Sequence, residues 1–331
     1  MTMPASAERT LVIRNWNGGF FSNFNGVLNN LRWRLGRRGV HAAIVDWHAD
    51  PALTDFAYGR PEDGNLWLHF FEPLPFERFP AAHCEARSFA RLDITFPHTY
   101  AAYKLNRRWR QDYHALYRRY IRIRPTFLDR VEKIYQADMA GHYCLGVHYR
   151  HPVHNPECLH SIPSPETFIA RLRGLLPVDR PYAVFLATDA ESAVAAFQQA
   201  FGSRLVVQPC VRRAGLQTEN HPQDPDTRAS LILGEQVLLD CLLLARCDAL
   251  FHVSSNIATA AGYINPSLKM VYCETPTQAA WGYAWSLCLA RTGIVWLRNW
   301  LPLACRAAMR RARGRRKEQR MEAVRPRASA R

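Results

Sequence analysis

The sequence predicts an α/β protein made of two Rossmann-like domains that face a cleft. Two observations lead to this prediction: an early strand–loop–helix–strand unit, and a later series of short apolar strands that alternate with helices. Strands alternating with helices form parallel sheets covered by helices on both faces. With 331 residues, 48% of them hydrophobic, the chain is long enough to bury two domain-sized cores.

The early unit starts with an apolar strand at residues 11–14. The stretch NWNGGFFSNFNGVLNNL, residues 15–31, follows it with two adjacent glycines and then apolar residues at helical spacing. Ser22 or Asn23 is the expected N-cap of that helix. A second strand is expected from Val40 to Val45. A turn that only reverses the chain requires neither two glycines nor so many asparagines, so this loop is a candidate ligand contact.

The later series begins near residue 140, and the region from 50 to 140 is expected to hold loops and helices. The predicted strands are 143–149, 182–187, 205–208, 248–253 and 269–273, and the predicted helices are 166–176, 190–201, 229–245 and one from 257. The expected domains are 1–140 and 141–278, followed by an aromatic apolar segment, 279–305, and a basic tail, 306–331, which is expected to be disordered.

The charge and cysteine content limit the possible compartments and partners. The formal net charge is +15, but residues 306–331 carry eleven Arg or Lys and two Glu, so the basic character belongs mainly to the tail. The nine cysteines are an odd number without paired spacing, which argues against a disulfide framework and for a reducing compartment. The N-terminal stretch lacks the apolar region of a signal peptide, so a cytoplasmic location is expected.

Four predicted strand ends carry polar groups, and ligands of parallel sheets bind at the carboxyl ends of strands. The groups are Gly18-Gly19, His148-Tyr149-Arg150, Thr188-Asp189 and Ser254-Ser255-Asn256. A guanidinium such as that of Arg150 can hold a diphosphate with two parallel N–H bonds, although an ordinary surface ion pair is the alternative. The Ser-Ser-Asn sequence precedes a helix and is either an anion site or an ordinary N-cap.

Two acidic residues also have two interpretations each. Asp240 interrupts an apolar helix, VLLDCLLLA, and needs a partner there, which is either the donor edge of a guanine base or a structural salt bridge. Asp189 either contacts a ligand or caps the helix expected from Ala190.

A histidine-rich segment raises the possibility of a metal site. It contains His142, His148, His151, His154, Glu157, Cys158 and His160. No pair has a familiar ligand spacing such as HExxH, so a polar active-site loop is the favoured interpretation and no metal is expected.

Three of these stretches together resemble GDP-fucose-dependent fucosyltransferases. LGVHYRH, VFLATDAES and GEQVLLDCLLLARCDALFHVSSNIATAAGYI are similar to three sequence blocks of that superfamily, most closely of the α1,6-fucosyltransferases and the rhizobial nodulation fucosyltransferase. GGFFSNFNGVLNNLRWRLGRRGVHAAIVDW resembles their N-terminal block. The matches follow the family's order from about residue 10 to 275, while residues 50–140 do not align.

The resemblance implies a GT-B fold and an inverting glycosyltransferase that uses a GDP-sugar without a metal or other cofactor. It implies that Arg150 contacts the diphosphate, that His148 and Asp240 contact the guanine, and that Asp189 supports the site. The implied donor-binding residues are Gly18, Gly19, Asn23, His148, Arg150, Asp189, Asp240, Ser254, Ser255 and Asn256. After the HYR sequence the chain departs from the family pattern, and Glu157 and His154 are the alternative catalytic bases.

The segment from 279 to 320 has four tryptophans on an apolar stretch followed by an arginine cluster. Its longest uncharged run is shorter than the ~20 residues that a membrane span needs. Such a segment is typical of a peripheral contact with an anionic membrane surface, consistent with a lipid-linked acceptor. Packing on the first domain and a solvated disordered tail are the alternatives.

Two further functions are compatible with the sequence. RRWRQDYHALYRRYIRIR and the basic tail suggest nucleic-acid binding, but they have no known recognition frame and leave the polar strand ends unexplained. A relative that binds a nucleotide sugar without catalysis is the other alternative, because the base is ambiguous. A fucosyltransferase acting on a glycan or lipid-linked acceptor is the leading hypothesis.

Overall fold

A computed structural model describes residues 9–36, 39–50, 58–76, 82–86, 107–151, 162–210, 231–253 and 255–273. Glu157, His154 and Ser254, together with the segment from 279 to 331, lie outside these ranges. The elements of the first half are β1 (Arg9–Arg14), α1 (Phe20–Arg34), β2 (Val40–Asp46), α2 (Trp67–Phe70), β3 (Ala82–Ala86), α3 (Arg107–Tyr120) and α4 (Pro125–Asp138).

The second half continues the alternation of strands and helices. Its elements are β4 (Tyr143–Tyr149), α5 (Pro165–Leu172), β5 (Tyr182–Thr188), α6 (Glu191–Phe201), β6 (Leu205–Val207), α7 (Leu231–Arg246), β7 (Ala249–His252), α8 (Asn256–Ile264) and β8 (Lys269–Tyr272). The α/β class predicted from the sequence is therefore confirmed.

Two parallel sheets organise these elements. The first has the order β2-β1-β3 and the second has the order β6-β5-β4-β7-β8. β4 lies in the middle of the second sheet, and β1 in the middle of the first. The sequence analysis missed β3, which lies in the stretch expected to hold loops and helices.

The second sheet is buried on both faces. Leu145, Val147 and Phe251 point to one face, where they pack with Phe168 of α5 and Phe197 of α6. Gly146 points to the other face and lies against α7, since a Cβ on this glycine would be 3.1 Å from Leu244 and 3.0 Å from the Cys247 sulfur. Strands covered on both faces read as continuous apolar runs, and these strands were accordingly recognisable in the sequence.

The first-half helices pack directly against helices of the second half. The Tyr113 ring of α3 stacks on Tyr263 of α8, with 4.5 Å between the centroids. Arg110 donates from Nη1 to the Leu268 carbonyl over 2.8 Å. One hydrophobic cluster consequently contains residues from both sides of residue 140. The division into domains at that point stays a prediction.

These contacts bear on the basic and aromatic stretch considered for nucleic-acid binding, because part of it forms α3. Tyr113 is fully buried and Arg110 is buried. Arg32 of α1 lies 4.9 Å from the Trp109 ring centroid and forms a salt bridge with Asp112. Much of this helix is therefore occupied by contacts inside the protein.

Within the described residues, no helix combines the length and apolar character needed to cross a bilayer.

The contact between α2 and α7 provides a test of this packing. A Cβ on Gly234 would lie 2.4 Å from Phe70 Cζ, and Phe70 is fully buried. We expect Gly234→Ala to lower the free energy of unfolding by about 1–2 kcal/mol, because overpacking outweighs the ~1 kcal/mol gain in helix propensity. Urea unfolding measures the change. Gly174→Ala is the matched control, since its Cβ would meet nothing within 4 Å. A more stable Gly234→Ala protein would contradict the packing described.

Candidate donor site

The carboxyl edge of the second sheet brings three predicted strand ends together. β4 leads to Arg150, β5 leads to Asp189, and β7 leads to the start of α8. Tyr149 pairs with Thr188 on β5, and His148 pairs with His252 on β7. Since β4 lies between its two partners, His148 and Arg150 occupy the centre of this edge.

His148 is buried at this edge, close to the Arg150 guanidinium and the His252 ring. Its side chain points to the face of the sheet that α7 covers, as Gly146 does two residues earlier. Among the residues that the structure describes, neither ring nitrogen has a hydrogen-bond partner that meets distance and angle criteria. Burial lowers the pKa of His148 to about 3, and the charge of Arg150 and the His252 ring act in the same direction. The imidazole is therefore neutral at physiological pH, with one donor and one acceptor available.

Asp189 organises the chain that follows β4. Its Oδ1 accepts the peptide N–H of His151 over 2.7 Å, directly after Arg150. The proposed capping role of Asp189 is wrong, because α6 begins at Glu191 and its N-cap, Ala190, makes no side-chain cap bond. Asp189 thus supports the loop that carries Arg150.

Arg150 is half-buried immediately after β4. Its guanidinium is close enough to His148 to depress that pKa, which places a permanent positive charge beside a neutral imidazole. Glu157 and His154, the alternative bases, lie outside the described residues, so their place in the site stays a prediction.

Ser255 acts as the N-cap of α8. Its Oγ accepts the N–H of Ala258 over 3.2 Å, as an ordinary cap does. The Asn256 carbonyl accepts from Asn25 Nδ2 of α1 over 3.1 Å, and the two side chains meet at 3.4 Å. A phosphate contact by Ser255 or Asn256 remains a prediction.

Asp240 lies on α7 beneath the same edge. Leu244 of α7 lies against Gly146 of β4, where an added Cβ would be 3.1 Å from the leucine side chain. Asp240 lies about one turn nearer the start of α7. Because α7 runs into β7, it is antiparallel to the strands, so this turn lies toward their carboxyl ends. Asp240 is buried. The guanine contact and the structural salt bridge both stay predictions.

The glycine loop differs from expectation in its capping. α1 begins at Phe20 with Gly19 as N-cap, so neither Ser22 nor Asn23 caps it. Asn23 instead folds back and bonds the loop backbone. The buried asparagines Asn25, Asn29 and Asn30 further along α1 were not assigned roles from the sequence. A series of asparagines among the apolar residues of α1 was the signal that some of them contact another element, as Asn25 does with Asn256 and Asn29 with Tyr113.

A second feature missed from the sequence is His252, which is fully buried next to His148. Its Nδ1 is 3.0 Å from the Val253 carbonyl, and its ring lies 5.4 Å from that of Tyr272. The shared position of both histidines near their strand ends could have indicated the pair.

Among the described residues, no three His, Cys, Asp or Glu side chains come together as a metal site. His154, Glu157, Cys158 and His160 lie outside these residues, so metal independence stays a prediction.

The low pKa of His148 gives a pH dependence. In the unfolded chain this group has a pKa near 6.5, whereas in the folded chain it is about 3. The unfolded state therefore binds the extra proton, and stability is full above pH 6.5 and falls as the pH drops toward 3. For one proton, the free energy of unfolding falls by up to about 1.4 kcal/mol for each pH unit. Urea unfolding at pH 7, 5.5 and 4.5 should show a shallower loss for His148→Gln than for the parent. Parallel slopes would contradict the assignment.

The sequence matches no family model and no curated protein. Solved structures do match. The NodZ α1,6-fucosyltransferase soaked with GDP-fucose is 18% identical, with a TM-score of 0.48 over 78% of this chain and 93% of that chain. Fucosyltransferase NodZ from Bradyrhizobium is 16% identical, with a TM-score of 0.47 over 81% and 96%.

A mutant of Arabidopsis thaliana FUT1 in complex with GDP is 11% identical, with a TM-score of 0.38 over 84% of this chain and 52% of that chain. The likeness is distant in all three cases.

Proposed function

We propose that this protein is an inverting glycosyltransferase that moves a fucosyl group from GDP-fucose to a glycan or lipid-linked acceptor. The observation that carries the proposal is a pair of side chains at one strand end: His148, which is buried and neutral with no partner on either ring nitrogen among the described residues, and the cationic Arg150. The neutral imidazole of His148 can donate one hydrogen bond and accept another, which suits a nucleobase. The guanidinium of Arg150 suits the diphosphate of the same nucleotide.

The base and the diphosphate would be bound by different groups. His148 and the Asp240 carboxylate would contact the guanine, since a carboxylate matches the two N–H donors on that base's edge. Arg150 would bind the diphosphate with parallel N–H bonds. The N-terminus of α8, after Ser254 and Ser255, would face the same negative charge.

The chemical step would be a single displacement. A base, Glu157 or His154, would take the proton of the acceptor hydroxyl, and the oxygen would attack C1 of the sugar from the face opposite the phosphate. The bond between C1 and the β-phosphate oxygen would break, and its electron pair would leave with GDP. Arg150 would stabilise that leaving charge, which makes a metal ion unnecessary.

The C-terminal segment would contribute location rather than chemistry. Its tryptophans and arginines would hold the protein peripherally on an anionic membrane surface, close to a lipid-linked acceptor. The basic and aromatic stretch gives no support to nucleic-acid binding, because α3 uses Tyr113 and Arg110 in internal contacts.

Nucleotide binding tests the proposal first. GDP should raise the melting temperature more than UDP or ADP at fixed salt, and EDTA should not change the shift. Arg150→Ala should lose most of this stabilisation and at least 100-fold in kcat/KM for GDP-fucose, since the leaving charge loses its partner. Arg204→Ala is the control at the opposite edge of the sheet, because its Nη1 donates to the hydroxyl of Tyr182 at the start of β5. Unchanged turnover in Arg150→Ala, or a requirement for Mn²⁺, would count against the proposal.

The variant Asp240→Asn, which replaces the carboxylate by an amide, tests the role of Asp240. Asp240→Asn keeps the shape but replaces one acceptor with a donor, so the preference for GDP over ADP should fall about tenfold or more. Calorimetric titration of both nucleotides measures the ratio, and urea unfolding measures stability. Loss of stability with an unchanged ratio would favour the structural salt bridge.

A further inference from the structure

The end of the basic stretch RRWRQDYHALYRRYIRIR lies in a different environment from its beginning. The first part packs inside the protein through Arg110 and Tyr113. Four arginines of the second part are exposed: Arg118, Arg119, Arg122 and Arg124. None of the four forms a salt bridge with a carboxylate of the described residues. Their charges are therefore available to an external partner within the part of the chain that the structure describes.

The backbone between α3 and α4 directs two of these arginines outward. Ile123 forms an antiparallel bridge with Phe71 at the end of α2. Side chains alternate along an extended segment, so the isoleucines of the sequence IRIR are buried and its arginines, Arg122 and Arg124, are exposed. Arg124 Nε also donates to the Leu68 carbonyl over 2.6 Å. The exposed arginines therefore lie directly beside α2.

Exposed aliphatic side chains lie next to these arginines. Among the described residues, four large hydrophobic side chains are exposed, and three of them are Leu68, Leu128 and Ile232. They belong to α2, α4 and α7, respectively. Leu128 follows Arg124, the N-cap of α4, by one helical turn. Most of the exposed aliphatic surface of the described residues is thus contributed by helices around the arginines.

Glu235 of α7 holds these three helices together. Its Oε1 lies 3.0 Å from His69 Nε2 of α2, and its Oε2 accepts from Arg130 Nη1 of α4 over 2.6 Å. Ile232 precedes Glu235 by three residues and so lies on the same side of α7. Leu68 directly precedes His69. The three aliphatic side chains therefore surround one polar contact and belong to one region of the surface.

This region lies toward the end of the second sheet that carries the candidate donor site. α7 is antiparallel to the strands, so its first turn, which contains Ile232, lies toward their carboxyl ends. Asp240 follows Ile232 by eight residues, which corresponds to roughly 12 Å along the helix. A partner bound to this region would consequently lie close to the carboxyl edge of the sheet.

The combination of charge and aliphatic side chains indicates the kind of partner. Four arginines outweigh the exposed acids beside them, Glu72 and Asp129, so the region is positively charged. Guanidinium groups bind the phosphates of anionic lipids, while aliphatic side chains enter the boundary between headgroups and acyl chains. Nucleic acid is the competing partner, but its bases stack on aromatic rings and would leave the aliphatic side chains without a role.

We propose that the four exposed arginines and the three exposed aliphatic side chains form one surface of the folded core, and that this surface contacts an anionic phospholipid membrane. The contact is separate from the one proposed for the C-terminal segment. The inference rests on the proposed function for the lipid-linked acceptor, whose glycan would be presented at the carboxyl edge of the second sheet.

Charge variants of the full chain test the electrostatic part of this contact. Arg118→Gln combined with Arg119→Gln should weaken binding to vesicles of equimolar phosphatidylcholine and phosphatidylglycerol about tenfold or more at low salt, because each cation near an anionic surface contributes about fivefold. Arg173→Gln combined with Arg180→Gln is the matched control, since it removes two exposed arginines that precede β5, at the opposite edge of the sheet. Vesicle flotation measures the affinities. Equal affinities of the two double variants would overturn the proposal.

Leu128→Gln tests the aliphatic part independently and keeps a good helix former at this position. It should weaken vesicle binding about threefold or more at both low and high salt, because salt does not screen the insertion of an aliphatic side chain. Val178→Gln is the control, since Val178 is exposed and also precedes β5. Circular dichroism checks that each variant is folded. A Leu128→Gln chain that binds vesicles as well as Val178→Gln would contradict the contact.

The outcomes separate this inference from the proposed function and from nucleic-acid binding. If both test variants behave like their controls, the inference is overturned, while GDP binding by the parent protein leaves the proposed function standing. A parent chain that binds vesicles through this surface but does not bind GDP overturns the proposed function alone. Unchanged vesicle binding of the Arg118→Gln and Arg119→Gln chain, with a loss of affinity for a single-stranded oligonucleotide, would assign the arginines to nucleic acid instead.

Discussion

The close approach of α1 and α3 to the short helix α8 is the contact on which the rest of the site depends. α8 is built largely from small residues, among them Ala258, Ala260 and Ala261, which are fully buried. Small side chains let the neighbouring helix backbones come near, and the larger partners fill the space around them. Tyr113 stacks flat on Tyr263, while Asn25 reaches the first turn of α8. The start of α8 is thereby fixed relative to the glycine loop.

The contact of α1 and α3 with α8 contains polar as well as apolar side chains, and some of the polar atoms lack a hydrogen-bond partner among the described residues. Asn25 Oδ1, Asn29 Nδ2 and Asn30 Oδ1 have no hydrogen-bond partner within the described part of the chain, although all three residues are buried. Each such atom costs roughly 1–3 kcal/mol. Their other amide atoms bond Asn256, Tyr113 and Gly26, respectively. Aliphatic side chains at these positions would let α1 pack at several rotations about its own axis. The bonds of Asn25 and Asn29 select one rotation, because they join α1 to α8 and to α3, respectively.

The sequence predicted the strands of the second sheet well because each is an apolar run buried on both faces. β4 was predicted with its observed bounds, and the other strand bounds differ by one or two residues. α1 was placed correctly, but its start was not, because Asn23 is a strong capping residue by type and bonds the loop instead. β3, with the sequence AHCEA, has too weak an apolar pattern to be recognised.

The sequence predicted those residues of the candidate site that lie directly after a strand. His148, Arg150 and Asp189 follow from their positions at strand ends, and the structure places them on adjacent strands. The bond from Asp189 to His151 and the contact from Asn25 to Asn256 were not predictable, because they join residues 38 and 231 positions apart. No periodic pattern encodes such pairs, which arise from how the parallel strands and helices assemble.

The distance of 231 residues between Asn25 and Asn256 also has a consequence for biosynthesis. A ribosome adding roughly 5–20 residues per second needs about 10–50 seconds to make α8 after α1 has been made. During that interval the nascent chain lacks the surface that covers α1 and α3, so Phe24, Leu28 and Tyr113 have an incomplete core. Both sheets are parallel and most of their pairings are far apart in sequence, which slows folding in the same way. Apolar side chains of α1 and α3 that α8 covers in the folded protein therefore stay exposed until α8 has been made.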